Sequence, residues 1–118
     1  MKSKLQHACF DCRKSWKKEF PDIFWETYTA QEELQVKYPC PECGKTLNVM
    51  GKNFRAPKKE KVKEWKVVEE LFRNGFRFIE NGHHPDPDLP TKMSEIKDFL
   101  KENPNHYLKV KGDNQAVL

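Results

Sequence analysis

The chain changes periodicity near its middle. In its first half, apolar and polar residues alternate in short runs, as in strands covered on one face. Residues 4–8 read as one strand and 13–20 as its partner, with Trp16 and Phe20 the large apolar groups among lysines. Pro21-Asp22 breaks the run. Residues 23–28, Ile-Phe-Trp-Glu-Thr-Tyr, are dense in aromatic and β-branched side chains and predict a further strand or an aromatic flap. A turn over 29–33 follows. Residues 34–38 and 46–50 alternate again and predict two more strands.

Beyond Gly51 the period becomes helical. The loop 51–57 carries Phe54, suited to plug a sheet edge, and ends on Pro57, suited to start a helix. Residues 58–74 form the clearest helix. Val62, Trp65, Val68, Glu69 and Phe72 fall along one side with Leu71 beside them, and only Glu69 interrupts the apolar stripe. Asn74-Gly75 is a good stop signal, and Phe76, Phe78 and Ile79 make a short strand or packing strap. Asn81-Gly82 is a turn, and 83–90 alternates proline with Asp and His, as an extended linker does. A second helix runs from Pro90 or Thr91 to Asn103 with Met93, Ile96, Phe99 and Leu100 on its apolar side. Residues 107–111 predict a last strand, and Gly112 onward a frayed tail. The expected organisation is therefore a first unit over 1–79, a linker over 80–90, and a C-terminal helix and tail over 91–118.

The four cysteines sit in two CxxC pairs, Cys9/Cys12 and Cys40/Cys43, each between strand-like arms. The two-residue gap lets both sulfurs of a pair face one ion, and the tight turn aims backbone N–H groups at them. Two such pairs on separate arms predict one tetrahedral zinc held by four thiolates, structural because no coordination position stays open. Pro41 suits the first turn position, and Gly44 follows the second cysteine, where a positive φ is often needed. Arg13 and Lys45, just after each pair, offset the negative charge. His7 is a spare donor that a four-cysteine site does not need. Other chemistries use the same residues. Two disulfides would need an oxidising compartment, and a thioredoxin-like centre uses one CxxC ahead of a helix in a βαβ setting. An iron–sulfur centre remains a further alternative. The predicted fold is α+β: a small zinc ribbon of two CxxC-tipped β-hairpins, with a packed amphipathic helix and a second C-terminal helix.

Size supports the need for a metal. At 118 residues, 36% hydrophobic and 34% charged, the chain has a modest core. A structural metal stabilises such domains by roughly 10–16 kcal/mol of apparent binding energy. No apolar run has membrane-spanning length, and the opening MKSKLQHACF lacks the apolar stretch of a signal peptide, so a cytoplasmic protein without a membrane partner is expected.

The net charge of +4 is uneven: residues 37–77 carry eleven Lys and Arg against five Asp and Glu, whereas 80–118 carry five against seven. A basic middle fits a polyanionic partner. Arg13, Lys14, Lys17 and Lys18 interleave with Phe10 and Trp16, and Lys52, Arg55, Lys58, Lys59, Lys61 and Lys63 cluster between the second pair and the helix. Bases stacked on aromatics and phosphates held by cations would suit single-stranded DNA or RNA. The plain alternatives are that Phe10 and Trp16 belong to the domain's own core, which suits Trp16 better, and that the lysines are a solvated face. A protein-interaction adaptor, using 23–28 or the C-terminal helix, is the second functional class. No base and nucleophile pair stands out, so neither an enzyme nor a small-molecule substrate is expected. His83, His84, Asp86 and Asp88 resemble metal ligands, but neighbouring histidines of an extended segment point to opposite sides, and a solvated linker fits better. The sequence names no partner for His106.

One resemblance adds to this. The run CPECGKTLNVMGKNFRAPKKEKVKEWKVVEELFRNGFRF resembles a group of short bacterial zinc-ribbon proteins. The common features are an N-terminal CxxC, a CPxCG knuckle, a GxxFxAP segment (Gly51, Phe54, Ala56, Pro57), a helix with a central Trp (Trp65) and a GFxF ending (Gly75, Phe76, Phe78). The resemblance covers roughly the first two-thirds of the chain and leaves the region after Glu80 aside. It implies a zinc ribbon with a packed helix and carries no activity with it.

Overall fold

The computed structural model describes residues 2–22, 24–25, 27–79 and 85–110. The early alternation becomes an antiparallel hairpin of β1 (Lys2–Cys9) and β2 (Lys14–Pro21), in register from Lys2↔Pro21 to Cys9↔Lys14. A third strand, β3 (Asn48–Gly51), joins the free edge of β1 antiparallel, giving the order β2-β1-β3. Successive strand residues face opposite ways. Leu5 and Val49 therefore enter one cluster with Phe20, Trp25, Tyr28 and Val110, while Ala8 and Met50 enter another with Phe54 and Trp65. Both faces of the sheet are covered.

Residues 34–38 form no strand. A 3-10 turn occupies Ala30–Leu34, and the arms of the second cysteine pair meet at a single bridge, Pro39↔Thr46. The alternation there pairs with no neighbouring strand: Leu34 is 64% exposed, Val36 packs partly against the Trp25 cluster, and Tyr38 packs beside the sulfurs. In the aromatic segment, Ile23 and Glu26 lie outside the described residues. Trp25 and Tyr28 are buried and stacked at 5.6 Å, and the Trp25 indole donates to the Tyr107 carbonyl at 2.7 Å. These two rings form a flap closed on the sheet.

The first helix, α1 (Val62–Arg73), begins later than position 58. The Lys58 carbonyl accepts from the Lys61 amide (2.9 Å) and the Trp65 indole (3.1 Å), which closes a turn before the helix. Its end follows the sequence signal. Gly75 takes φ 95°, its N–H bonds to the Phe72 carbonyl (3.0 Å), and the Phe76 N–H bonds to that of Leu71 (3.0 Å). This is a Schellman closure, completed by burial of Leu71 with Phe76. The helix buries two sides. Trp65 faces the sheet, while Val67 and Leu71 meet Ile96 of α2 (Met93–Glu102) and Leu108. A single-stripe reading therefore passes over Val67 and overrates Val62, which is 39% exposed.

The segment after α1 is a strap. Its Phe78 N–H donates to Met50 of β3 (2.7 Å) and its Arg77 N–H to Leu108 (2.9 Å). Instead of a strand over 107–111, the C-terminal segment makes one bridge, Phe76↔Lys109; Lys111 and the tail from Gly112 lie outside the described residues. His106 is buried and partnered: Nε2 bonds the Pro87 carbonyl (2.7 Å) and Nδ1 accepts from the Leu108 N–H (3.1 Å). His83 and His84 also lie outside the described residues, while the Asp86 carboxylate accepts from the Tyr107 N–H at 2.6 Å. Among the described residues, no helix is long and apolar enough to cross a membrane.

One glycine is demanded by geometry. Gly51 has φ 122°, and a Cβ there would lie 2.6 Å from the Phe78 carbonyl oxygen of the strap. The three nearest atoms are all Phe78 backbone, so none can swing aside. Gly51→Ala is expected to cost about 2–3 kcal/mol, from positive-φ strain and displacement of the strap. Urea unfolding measures it, and a loss below 1 kcal/mol would contradict this account.

Candidate metal centre

Each cysteine pair lies on a turn whose backbone is closed in the same way. In the first, the Arg13 N–H donates to the Cys9 carbonyl at 2.8 Å; in the second, the Gly44 N–H donates to the Cys40 carbonyl at 2.9 Å. Amides also point at sulfur, Cys12 N–H to Cys9 Sγ (3.5 Å) and Glu42 N–H to Cys40 Sγ (3.4 Å). The residue after each second cysteine has positive φ, 81° at Gly44 and 53° at Arg13. The Gly44 value matches the sequence expectation. Arg13 pays the left-handed penalty, roughly 1–2 kcal/mol, with an ordinary side chain.

The two turns bring all four sulfurs together, with their ligand atoms within 4.8 Å of one another. Cys9 and Cys43 Sγ are 3.6 Å apart, and Cys12 and Cys40 Sγ 3.8 Å. Four sulfurs about 2.3 Å from a tetrahedral ion stand about 3.8 Å from each other, so this donor set fits one metal ion. No disulfide links them. Leu47, Trp16 and Tyr38 supply the apolar surround.

An arrangement absent from the sequence reading clasps the turns. Asp11, between the first two cysteines, pairs with Lys45 after the second two, and Glu42 pairs in return with Lys14. Each pair has its acid just before the second cysteine and its lysine two places after. That shared spacing was the available signal. Lys45 holds the Asp11 carboxyl below the usual carboxylate range, and Lys14 does the same for Glu42.

Burial pushes the Cys9 thiol up and takes Cys12 up to about 12. At Cys40, burial also acts upward, but the Glu42 and Cys43 amides together with the Cys43 and Cys12 thiols outweigh it and lower that thiol to about 7. Metal binding requires thiolates, so it must displace the protons of at least Cys9 and Cys12. Acid therefore weakens binding. The expected loss is at least about a hundredfold in affinity per pH unit, steeper below pH 7, where Cys40 also regains its proton. Competition with a metal-sensitive dye across pH 6–8 measures the slope; a flat profile would rule out thiolate ligation.

His7 is not among the converging donors. It is 1% exposed, its Nδ1–H donates to the Leu5 carbonyl at 3.0 Å, and its ring stands edge-on to Tyr38 at 5.4 Å. Burial holds its imidazole below the ordinary range.

The basic residues divide. Lys14 is engaged by Glu42, and Arg13 Nε donates to the Lys59 carbonyl at 2.8 Å, tying the loop before α1 to the first turn. Lys17, Lys52, Arg55, Lys58 and Lys59 are exposed. Neither neighbouring aromatic is free: Phe10 packs on Phe72 at 5.5 Å, and Trp16 is partly buried beside the sulfurs. Comparison with known protein families, curated proteins and solved structures finds no match.

Proposed function

We propose that this chain is a non-enzymatic zinc module of the ribbon type that binds single-stranded nucleic acid, or the machinery that handles it, in the cytoplasm. The observation that carries the reading is the four-sulfur cluster. Its spacing suits zinc, and a fully thiolate shell leaves no position for water or substrate, so the ion holds the fold and performs no chemistry. Reduced thiols of this kind belong in a reducing compartment. The features common to this chain and short bacterial zinc ribbons agree with this reading. Support for a polyanionic partner comes from the exposed loop cations Lys52, Arg55, Lys58 and Lys59, joined to the first turn by the Arg13–Lys59 contact. Lys17 extends that surface; Lys14 would join it only by leaving Glu42.

The test is a salt titration with labelled single-stranded DNA and RNA. Three or four phosphate contacts predict a log–log slope of about −2 to −3. Lys58→Glu with Lys59→Glu should flatten it, and the fold should persist because both side chains are exposed. Absence of binding at low salt would overturn the nucleic-acid reading. It would favour an adaptor, for which the apolar contacts are Phe24 and Leu34, exposed at 74% and 64%.

A further inference from the structure

The groove between the first turns of α1 and the start of α2 has a volume of about 400 Å³ and an almost wholly apolar surface. Val67 and Met93 form its floor with the stems of Lys63, Lys66 and Lys92, whose ammonium groups can reach its rim. Met93 is 49% exposed, so its side chain adds apolar surface open to a ligand in this groove. Three lysines face one acid at this groove, Glu64, and among the described residues none of the three lysines is ion-paired.

Backbone charge acts in the same direction. Glu64 lies in the first turn of α1, and Lys92 is the N-cap of α2, so two helix N-termini flank the groove. Neither helix has a side-chain cap; Lys61 and Lys92 stand at positions where Ser or Asp would accept from the free amides. Unpaired amides and the positive ends of two helix dipoles favour negative charge there.

We propose that this groove docks an acidic peptide segment of a partner protein, with an apolar side chain on the Val67–Met93 floor and carboxylates on the lysine rim. The groove lining holds no aromatic side chain, so bases would find no stacking platform there. Its surface is almost wholly apolar with the lysine charges at the rim, which suits an apolar side chain flanked by carboxylates more than a small polar ligand. The site is independent of the metal centre and of the nucleic-acid reading, and its failure would leave both untouched.

The test uses the metal-loaded full chain and a displayed library of random twelve-residue peptides. Selected sequences should combine several Asp or Glu with an apolar anchor and should shift the Met93 methyl resonance. Met93→Glu and the pair Lys66→Glu with Lys92→Glu should each weaken binding at least tenfold. Glu at the first position of α2 is favourable for that helix, and unchanged circular dichroism would show that the fold persists. The proposal is overturned by no enrichment, by peptides without acidic residues, by binding that survives both variants, or by a Met93 shift produced by protein concentration alone.

Discussion

Protein purified with its metal and then stripped by a strong chelator is expected to lose the cooperative fold of its sheet half. A structural zinc contributes roughly 10–16 kcal/mol of apparent binding energy, while a domain of this size has a net stability of about 5–15 kcal/mol. The segment 37–47 has little else to hold it. Its fixed points are Cys40, Leu47 and Tyr38 in the cluster around the sulfurs, the Tyr38 ring on His7 and Lys18, one bridge, two exposed ion pairs and the Tyr38 hydroxyl bond to the Glu19 carbonyl at 2.6 Å. Removing the ion would leave four thiols crowded at one point with only weak contacts between them. Hydrogen-exchange protection should vanish first over 37–47 and the Cys9 end of β1. The Trp25 cluster packs on the sheet through Leu5, Phe20 and Val49, and the Val67 cluster packs on α2; neither includes a cysteine, so both should lose protection later. Cys40→Ser should reproduce the stripped state. A metal-free chain with an unchanged melting temperature and full protection at β1 would defeat the proposal of a structural ion.

The same layering explains what could be read in advance. The two CxxC turns were legible because their chemistry is local: the spacing, Pro41 and Gly44 specify each turn within a few residues. The α1 stop was legible for the same reason, since Asn74-Gly75 acts on its own backbone. Long-range closure was not. Alternation over 34–38 looked like a strand, but alternation signals a strand only where a sheet is present to cover one face, and Leu34 points into solvent. Val67 escaped notice because α1 lies between two layers, whereas a stripe model assumes one. His106 had no visible partner because the hydrogen bonds described for it go to backbone, one of them in the Pro/Asp segment far earlier in the chain. At the metal centre, Lys14 read as a free cation; its pairing with Glu42 follows only once the turns face each other.

The largest such blind spot is the ion pair Arg77–Glu33, and breaking it is expected to cost about 3–5 kcal/mol. The two residues lie 44 positions apart, and their side chains are 8% and 11% exposed. Arg77 Nε and Nη2 donate to the two Glu33 oxygens at 2.5 and 2.8 Å. Its Nη1 donates to the Phe72 and Phe76 carbonyls at 3.1 and 2.8 Å, and the guanidinium lies over the Phe72 ring at 3.8 Å. One side chain therefore joins the 3-10 turn Ala30–Leu34 to the end of α1. Glu33→Gln leaves a buried cation without its counter-charge. Arg77→Met leaves a buried carboxylate and also frees the carbonyls, so it should be the worse of the two. Solvation opposes the pair itself: burying both charges costs nearly what their attraction returns. The double variant Glu33→Leu with Arg77→Met should therefore be more stable than either single change. With a urea m-value of about 2 kcal/mol/M, Glu33→Gln should lower the midpoint by about 2 M. A Glu33→Gln shift below 0.5 M, or effects of the single changes Glu33→Leu and Arg77→Met that simply add in their double, would show that the two charges are not coupled in the folded chain.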